Sequence, residues 1–158
     1  MNIEGEHLFE GPREVVWEMI RDPKVLAKAI PGTQELKEVS PNNYEAAIHL
    51  RIGPISSTFS GTLVVSDEVP PESCTLTVDG RGAPGFAKGV GYVKFLDNGD
   101  NTTILKYTGD ITIGGTLASV GQRMIDSVSK MMIKAGFGTL DKALEEKLKE
   151  SSLKSGNS

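Results

Sequence analysis

Apolar and polar residues alternate with a period of two over most of the chain up to Ile113. They then recur every three or four positions, so the pattern predicts a sheet followed by a long helix. The first strand is expected over Ile3 to Phe9, with Ile3, Gly5, His7 and Phe9 on one face and Glu4, Glu6, Leu8 and Glu10 on the other. Gly11-Pro12 stops it, and Pro12 suits the first turn of a helix, where its missing N–H costs nothing. Val15, Val16, Met19 and Ile20, with Trp17 on the flank, predict a short amphipathic helix. Asp22 is placed to cap a second short helix through about Ala29, with Pro23 in its first turn, and Pro31-Gly32 ends it.

Six further strands are expected, over Glu35–Val39, Asn43–Ile52, Ile55–Glu68, Cys74–Arg81, Phe86–Leu96 and Thr103–Ile113. Pro41-Asn42-Asn43, Gly53-Pro54, Pro70-Pro71 and Asn98-Gly99-Asp100-Asn101 punctuate them, and such short connections imply an antiparallel meander. Each strand has a dry and a wet face: Tyr44, Ala46, Ile48, Leu50 and Ile52 oppose Glu45, His49 and Arg51. A sheet of this kind is covered on one side. The cover is expected from a helix over Thr116 to Lys149, roughly 50 Å long if unbroken. Its apolar stripe reads Leu117, Val120, Met124, Val128, Met131 and Ala135, continued by Leu140, Leu144 and Leu148, with Gly136 and Gly138 as points of bending. The reading is one α+β domain over residues 1–149 and a polar tail, 150–158, expected to be disordered.

Composition narrows the function classes. A chain of 158 residues can bury one core without disulfides or metals. A formal net charge of -4 argues against a nucleic-acid partner, which would meet a basic face. Cys74 is the only cysteine, and Met1 to Arg13 lacks the apolar run of a secretory leader, so a reducing, cytoplasmic setting is expected. No stretch of about 18 apolar residues is present, which leaves peripheral membrane contact as the mode to consider.

Glycine placement points to unfilled space. Gly61, Gly89, Gly91 and Gly109 fall on the inward parity, where they add no packing volume. The long helix faces them with small or soft residues: Ala118, Gly121, Met124, Met131 and Met132. The expected cavity is walled by Phe59, Leu63, Leu76, Gly91, Val93, Phe95 and Tyr107 from the sheet, with Phe86 as a further ring, and by Trp17 from the first helix. Leu117, Val120, Met124, Val128 and Met131 close it from the long helix. Tyr107 would offer a hydroxyl to a ligand carbonyl. The entrance is expected at Pro31-Gly32 and Pro84-Gly85. The same residues also read as plain core, since methionine stripes and strand glycines occur without any ligand.

Sites for chemistry are sparse. Gly80-Arg81-Gly82-Ala83-Pro84-Gly85 matches the spacing of a dinucleotide fingerprint, but a strand, not a helix, is expected after it. His7 and His49 have no ligand-like neighbours, and Cys74 has no paired base. Arg123 is a candidate for a polar head group, with Asp126 as its simpler partner. No catalytic residue and no metal ligand is assigned.

Gly5-Glu6-His7-Leu8-Phe9-Glu10-Gly11-Pro12-Arg13-Glu14-Val15-Val16-Trp17 resembles the opening of the CoxG family of carbon monoxide dehydrogenase subunits. So do Ile30-Pro31-Gly32, the glycines from Gly82 to Gly91, and Gly114-Gly115-Thr116-Leu117-Ala118-Ser119-Val120-Gly121-Gln122-Arg123-Met124-Ile125 at the junction of last strand and helix. The resemblance implies the helix-grip fold of the START-like (SRPBCC) superfamily: a curved seven-stranded antiparallel sheet around a long C-terminal helix, with two short helices after the first strand. It also implies an apolar cavity holding a quinone or lipid-like molecule, no covalent cofactor, and service to a molybdenum-containing dehydrogenase by quinone delivery or membrane recruitment. A docking module with no functional ligand, and a cyclase-like enzyme using His7, Lys106 or Asp110, are the alternatives. Lys106 and Asp110 carry outward parity. The polar end of the chain, with Leu153 as its only large apolar residue, departs from longer family members.

Overall fold

The computed structural model describes residues 1–156, and side chains as far as Ser151. The chain order is β1 (Asn2–Phe9), α1 (Arg13–Ile20), α2 (Pro23–Ala29), β2 (Thr33–Ser40), β3 (Asn43–Ile52), β4 (Ile55–Val69), β5 (Ser73–Gly82), β6 (Gly85–Asp97), β7 (Thr103–Gly114), a 3-10 turn (Gly115–Val120) and α3 (Gln122–Gly156). The strands form one sheet in the order β1-β7-β6-β5-β4-β3-β2, antiparallel throughout. The sheet curves around α3. This is the expected seven-stranded helix-grip architecture.

Local chemistry sets the corners. Asp22 caps α2, its Oδ1 accepting from the Lys24 N–H at 2.9 Å, and Pro23 opens the helix. The fully buried Thr103 hydroxyl donates to the Gly11 carbonyl at 2.8 Å and ties β7 to the corner between β1 and α1.

Two features depart from the sequence reading. The long helix does not start at Thr116: the 3-10 turn precedes it, and Gly121, at φ 93, breaks the chain between them. Only glycine holds that backbone geometry without strain. Helix α3 also runs on to Gly156, past the expected end at Lys149, so part of the expected disordered tail is helical. The last positions, 157 and 158, lie outside the described residues. Gly136 and Gly138 lie within α3 without interrupting it. A Cβ on Gly136 would sit 3.1 Å from the Ala29 carbonyl, so that glycine lets α2 pack closely on α3.

Burial divides into two clusters. The larger joins Phe9, Val16, Trp17, Met19, Tyr44, Val65, Phe95 and Leu105 to Leu140 and Leu144 of α3. The smaller holds Ile52, Phe59 and Leu117, with Val120 and Val128 packed against it. Ile3, Ile48, Ile111, Met132 and Ile133 are half-buried and fall in neither cluster.

Candidate functional site

The interval between the two clusters is paved with glycine. On the helix-facing side of the sheet, Gly61 lies opposite Gly80, Gly91 opposite both Leu76 and Gly109, and Gly89 opposite Val78. An apolar cavity of about 250 Å³ opens over this pavement. Its walls are Ile3, Leu76, Val78, Ala87 and Ile111, and its floor is Gly89, Gly91 and Gly109. Lys88 and Val90 border it only along the strand, since their side chains alternate to the outer face, where the Lys88 ammonium lies 5.5 Å from the centre of the Phe86 ring. Val78 is 45% exposed although it carries inward parity, so the cavity opens to solvent beside it.

The same sheet shows what glycine seats do elsewhere. The Tyr107 ring lies on Gly5, the Phe86 ring on Gly114, and a Cβ on Gly82 would sit 2.9 Å from the Phe59 ring. Each of those glycines is a seat already taken by an aromatic ring. Gly91 and Gly80 are unoccupied: a Cβ there would meet nothing nearer than the Thr108 carbonyl at 3.6 Å and the Ala87 carbonyl at 3.8 Å.

The sequence-derived cavity residues sort into four groups. Leu76 and Gly91 line the cavity. Trp17, Val93 and Phe95 belong to the larger cluster, Trp17 meeting Phe95 edge to face at 5.4 Å, and Leu63 and Tyr107 pack on its margin. Phe59, Leu117, Val120 and Val128 build the smaller cluster. Phe86, Met124 and Met131 do not fit the expectation. Phe86 shares the outer parity of Lys88, and Met124 and Met131 are 38% and 57% exposed. Among the described residues of α3, Ile125, Leu140 and Leu144 are buried: Leu140 and Leu144 lie on the expected stripe, and near the break at Gly121 Ile125 is buried in place of Met124. Tyr107 turns its hydroxyl toward Gly5 and is not among the cavity walls.

Neither expected entrance borders the cavity. Pro31-Gly32 is pinned at the sheet edge, where the His49 N–H donates to the Gly32 carbonyl at 2.8 Å. Pro84-Gly85 is strapped to the 3-10 turn by the Leu117 N–H donating to the Pro84 carbonyl at 2.8 Å. That turn borders a separate depression of about 340 Å³ with Phe86, Gly115 and Thr116. Sequence reasoning missed Ile3, Val78, Ala87 and Ile111; inward parity beside Gly109 is the signal that marks Ile3 and Ile111.

Polar chemistry lies outside the cavity. His7 stacks on Phe137, centroids 4.3 Å apart with planes 5° from parallel, and its Nε2 donates to Asp141 Oδ1 at 2.8 Å. Lys106 lies 3.9 Å from Glu6, and Asp110 lies 3.6 Å from the N-terminal ammonium, both on the outer face. Arg21 pairs with Glu68 and Asn42 and lies over Trp17 at 5.8 Å. Burial raises the Cys74 thiol above its ordinary pKa, with Arg21 pulling the other way, which makes it a poor nucleophile. Among the described residues no cluster of three His, Cys, Asp or Glu side chains could hold a metal, and no helix is long and apolar enough to cross a membrane.

A seven-stranded antiparallel sheet gripping one long helix has counterparts among known proteins. The family model for the CoxG subunit of carbon monoxide dehydrogenase matches residues 5–145. The chain belongs to the CoxG family. Among solved structures, a conserved protein from Geobacillus kaustophilus is 31% identical to this CoxG-family chain with a TM-score of 0.88, covering 92% of this chain and 96% of that one. The ZhuI aromatase/cyclase from Streptomyces sp. R1128 shares the fold at 14% identity and a TM-score of 0.70, covering 94% and 95%. A START superfamily protein from Mycobacterium smegmatis does so at 12% identity and 0.69, covering 92% and 97%. No curated protein sequence matches the chain.

Proposed function

We propose that the chain is a binding protein for a hydrophobic small molecule with a planar ring, a quinone or a lipid-like analogue, held over the glycine pavement between sheet and α3. The observation that carries the reading is the open seat at Gly91 on the cavity floor, with Gly80 likewise open on the neighbouring strand, in a sheet where Gly5, Gly82 and Gly114 hold aromatic rings. A cavity of about 250 Å³ takes a ring head group and not a whole isoprenoid, so the tail would leave past the exposed Val78. Burying a ring of roughly 150 Å² contributes about 4 kcal/mol before the costs of binding. The walls supply apolar contact and no acid or base, which favours holding a molecule over transforming it. A cyclase-like activity would need a proton donor or acceptor in reach of the ligand. The larger depressions suit this ligand less well: those of about 740 and 460 Å³ are lined by charged residues of the outer face, among them Asp79, Lys88 and Arg81.

Family membership extends the proposal to a physiological role. The cargo would serve a molybdenum-containing dehydrogenase of the carbon monoxide dehydrogenase type, at the cytoplasmic side of a membrane the protein touches only transiently. Native mass spectrometry of the purified protein, followed by organic extraction, tests the binding step. A quinone or lipid at near one per chain, or uptake of added menadione, is the expected result. A protein that comes off empty and takes up neither menadione nor a short-tailed ubiquinone would rule the carrier out and leave a docking role beside the dehydrogenase.

A further inference from the structure

The two edges of the sheet are built differently. Strand β2 pairs with β3 through register shifts at Thr33/Glu35 and Glu38/Ser40, irregularities that discourage another strand from adding to its far side. Strand β1 pairs with β7 in unbroken register from Asn2 to Phe9, and among the described residues its outward backbone bonds to no other element. Beside that open edge lies a groove of about 570 Å³ between β1 and the C-terminal half of α3. Its apolar surface is Leu8 and Leu148 over the buried Leu144, and its rim is Glu10, Asp141, Glu145 and Lys149. Leu8 is 49% exposed and continues across the outer face through Ile104 to Leu96, which is 40% exposed.

Charge selects the occupant. Glu4 and Glu6 lie on the outer face of β1, and Glu10, just past its end, shares the groove with Asp141 and Glu145 of α3. Their internal counter-charges are Lys106 at 3.9 Å from Glu6, Lys149 at 3.4 Å from Glu145, and His7 on Asp141. Glu4 and Glu10 have no ion-pair partner among the described residues. A second copy added antiparallel along β1 would bring both sets of glutamates to one seam, which costs free energy. An anionic membrane is repelled for the same reason. Glutamates on an edge also serve to keep strands away, but that role does not account for an apolar groove left open beside them.

We propose that the open edge of β1, with the leucine groove beside it, docks an extended segment of a partner protein in which basic and apolar residues alternate. The segment would add as an eighth strand, its backbone pairing with β1, its basic side chains on the outer face beside Glu4, Glu6 and Glu10, and its apolar ones on the opposite face, toward Leu148 of α3. The proposal is independent of the cavity and its ligand.

The test uses the full-length, ¹⁵N-labelled protein and a short amidated peptide alternating lysine with leucine. The same peptide with glutamate in place of lysine is the control. The lysine peptide is expected to shift the amide signals of β1 and of residues 141–149 and to slow hydrogen exchange along β1. Glu10→Lys combined with Glu145→Lys should weaken it by about tenfold or more, and Leu148→Ser should weaken it at unchanged ionic strength. Glu10 and Glu145 are exposed and Leu148 is half-buried, and thermal unfolding of each variant confirms the fold. Equal binding of the glutamate peptide, perturbation confined to other strands, or no perturbation at the solubility limit would overturn the proposal. So would sedimentation showing that the wild-type chain pairs with itself through β1.

Discussion

At the scale of single residues, the informative distinction is between glycines that seat a ring and glycines that seat nothing. Gly82 and Gly91 both carry inward parity in strands and read alike in the sequence. A Cβ on Gly82 would lie 2.9 Å from the Phe59 ring and 3.0 Å from the Thr58 carbonyl, whereas one on Gly91 meets its first atom at 3.6 Å. Gly82→Val should therefore displace Phe59 and cost about 1–3 kcal/mol in urea unfolding. Gly91→Leu should keep the unfolding midpoint and lose ligand uptake in the same preparation. A Gly91→Leu protein that still takes up menadione would place the ligand elsewhere. Cys74 gives a second expectation at this scale. Its thiol is raised by burial above the ordinary 9.0, and the Tyr44 hydroxyl is raised above 10.0 by burial and then by Glu38. Well below pH 9.0 the thiol is protonated in both folded and unfolded chains and its contribution is intact. As pH rises past that value the unfolded chain releases the proton while the folded chain keeps it, so stability falls. Denaturant midpoints measured from neutral to alkaline pH should show this decline, and Cys74→Ala should delay its onset toward the tyrosine range.

At the scale of elements, most of the architecture is legible in the sequence because strand parity is a local property. Two short helices, seven strands and a C-terminal helix follow from alternation, Asp22, and the Gly and Pro turns. What local patterning cannot carry is phase. Leu117 and Val120 continue the apolar stripe of α3 on paper, but they belong to the 3-10 turn, and Gly121 lets α3 begin in a new rotation. In the first turn of α3 the buried residue is Ile125 and not its neighbour Met124, about 100° around the helix, while Val128, Leu140 and Leu144 keep to the expected stripe. Phe86 is a different matter: it lies three residues before Gly89 in β6, so the alternation that turns Gly89 and Gly91 inward turns Phe86 outward, and its place among the cavity rings does not follow from that parity. The same break predicts uneven stability. The smaller cluster rests on three buried residues and is held by the strap between Leu117 and Pro84. Hydrogen exchange should show amides of the 3-10 turn and the Ile52–Ile55 hairpin opening at least about tenfold more often than those near Phe95 and Leu105. Uniform protection across both regions would mean that the two clusters unfold as one.

At the scale of the whole molecule, two clusters separated by a glycine-floored gap make a fold whose halves are joined by backbone more than by side chains. A core normally fills such a gap, because close packing supplies much of the stability. Here the half-buried Ile3, Ile111, Met132 and Ile133 are left without a cluster to join. A ligand lying over Gly91 would supply the missing contacts and would be stabilised by both sides at once. Binding to the folded state alone raises unfolding free energy by about 2.7 kcal/mol at a hundredfold excess over Kd. A ligand that bridges the gap has a further signature, since it should slow exchange in the 3-10 turn and the Ile52–Ile55 hairpin toward the rate of the larger cluster. A ligand on the outer face would raise the melting temperature while leaving the two regions as unequal as before. Thermal unfolding and hydrogen exchange, each with and without menadione, separate these cases. A rise in melting temperature with convergent exchange places the ligand between the clusters. A rise without convergence places it on the outside of the sheet, and in that case the empty seats at Gly80 and Gly91 would need another explanation.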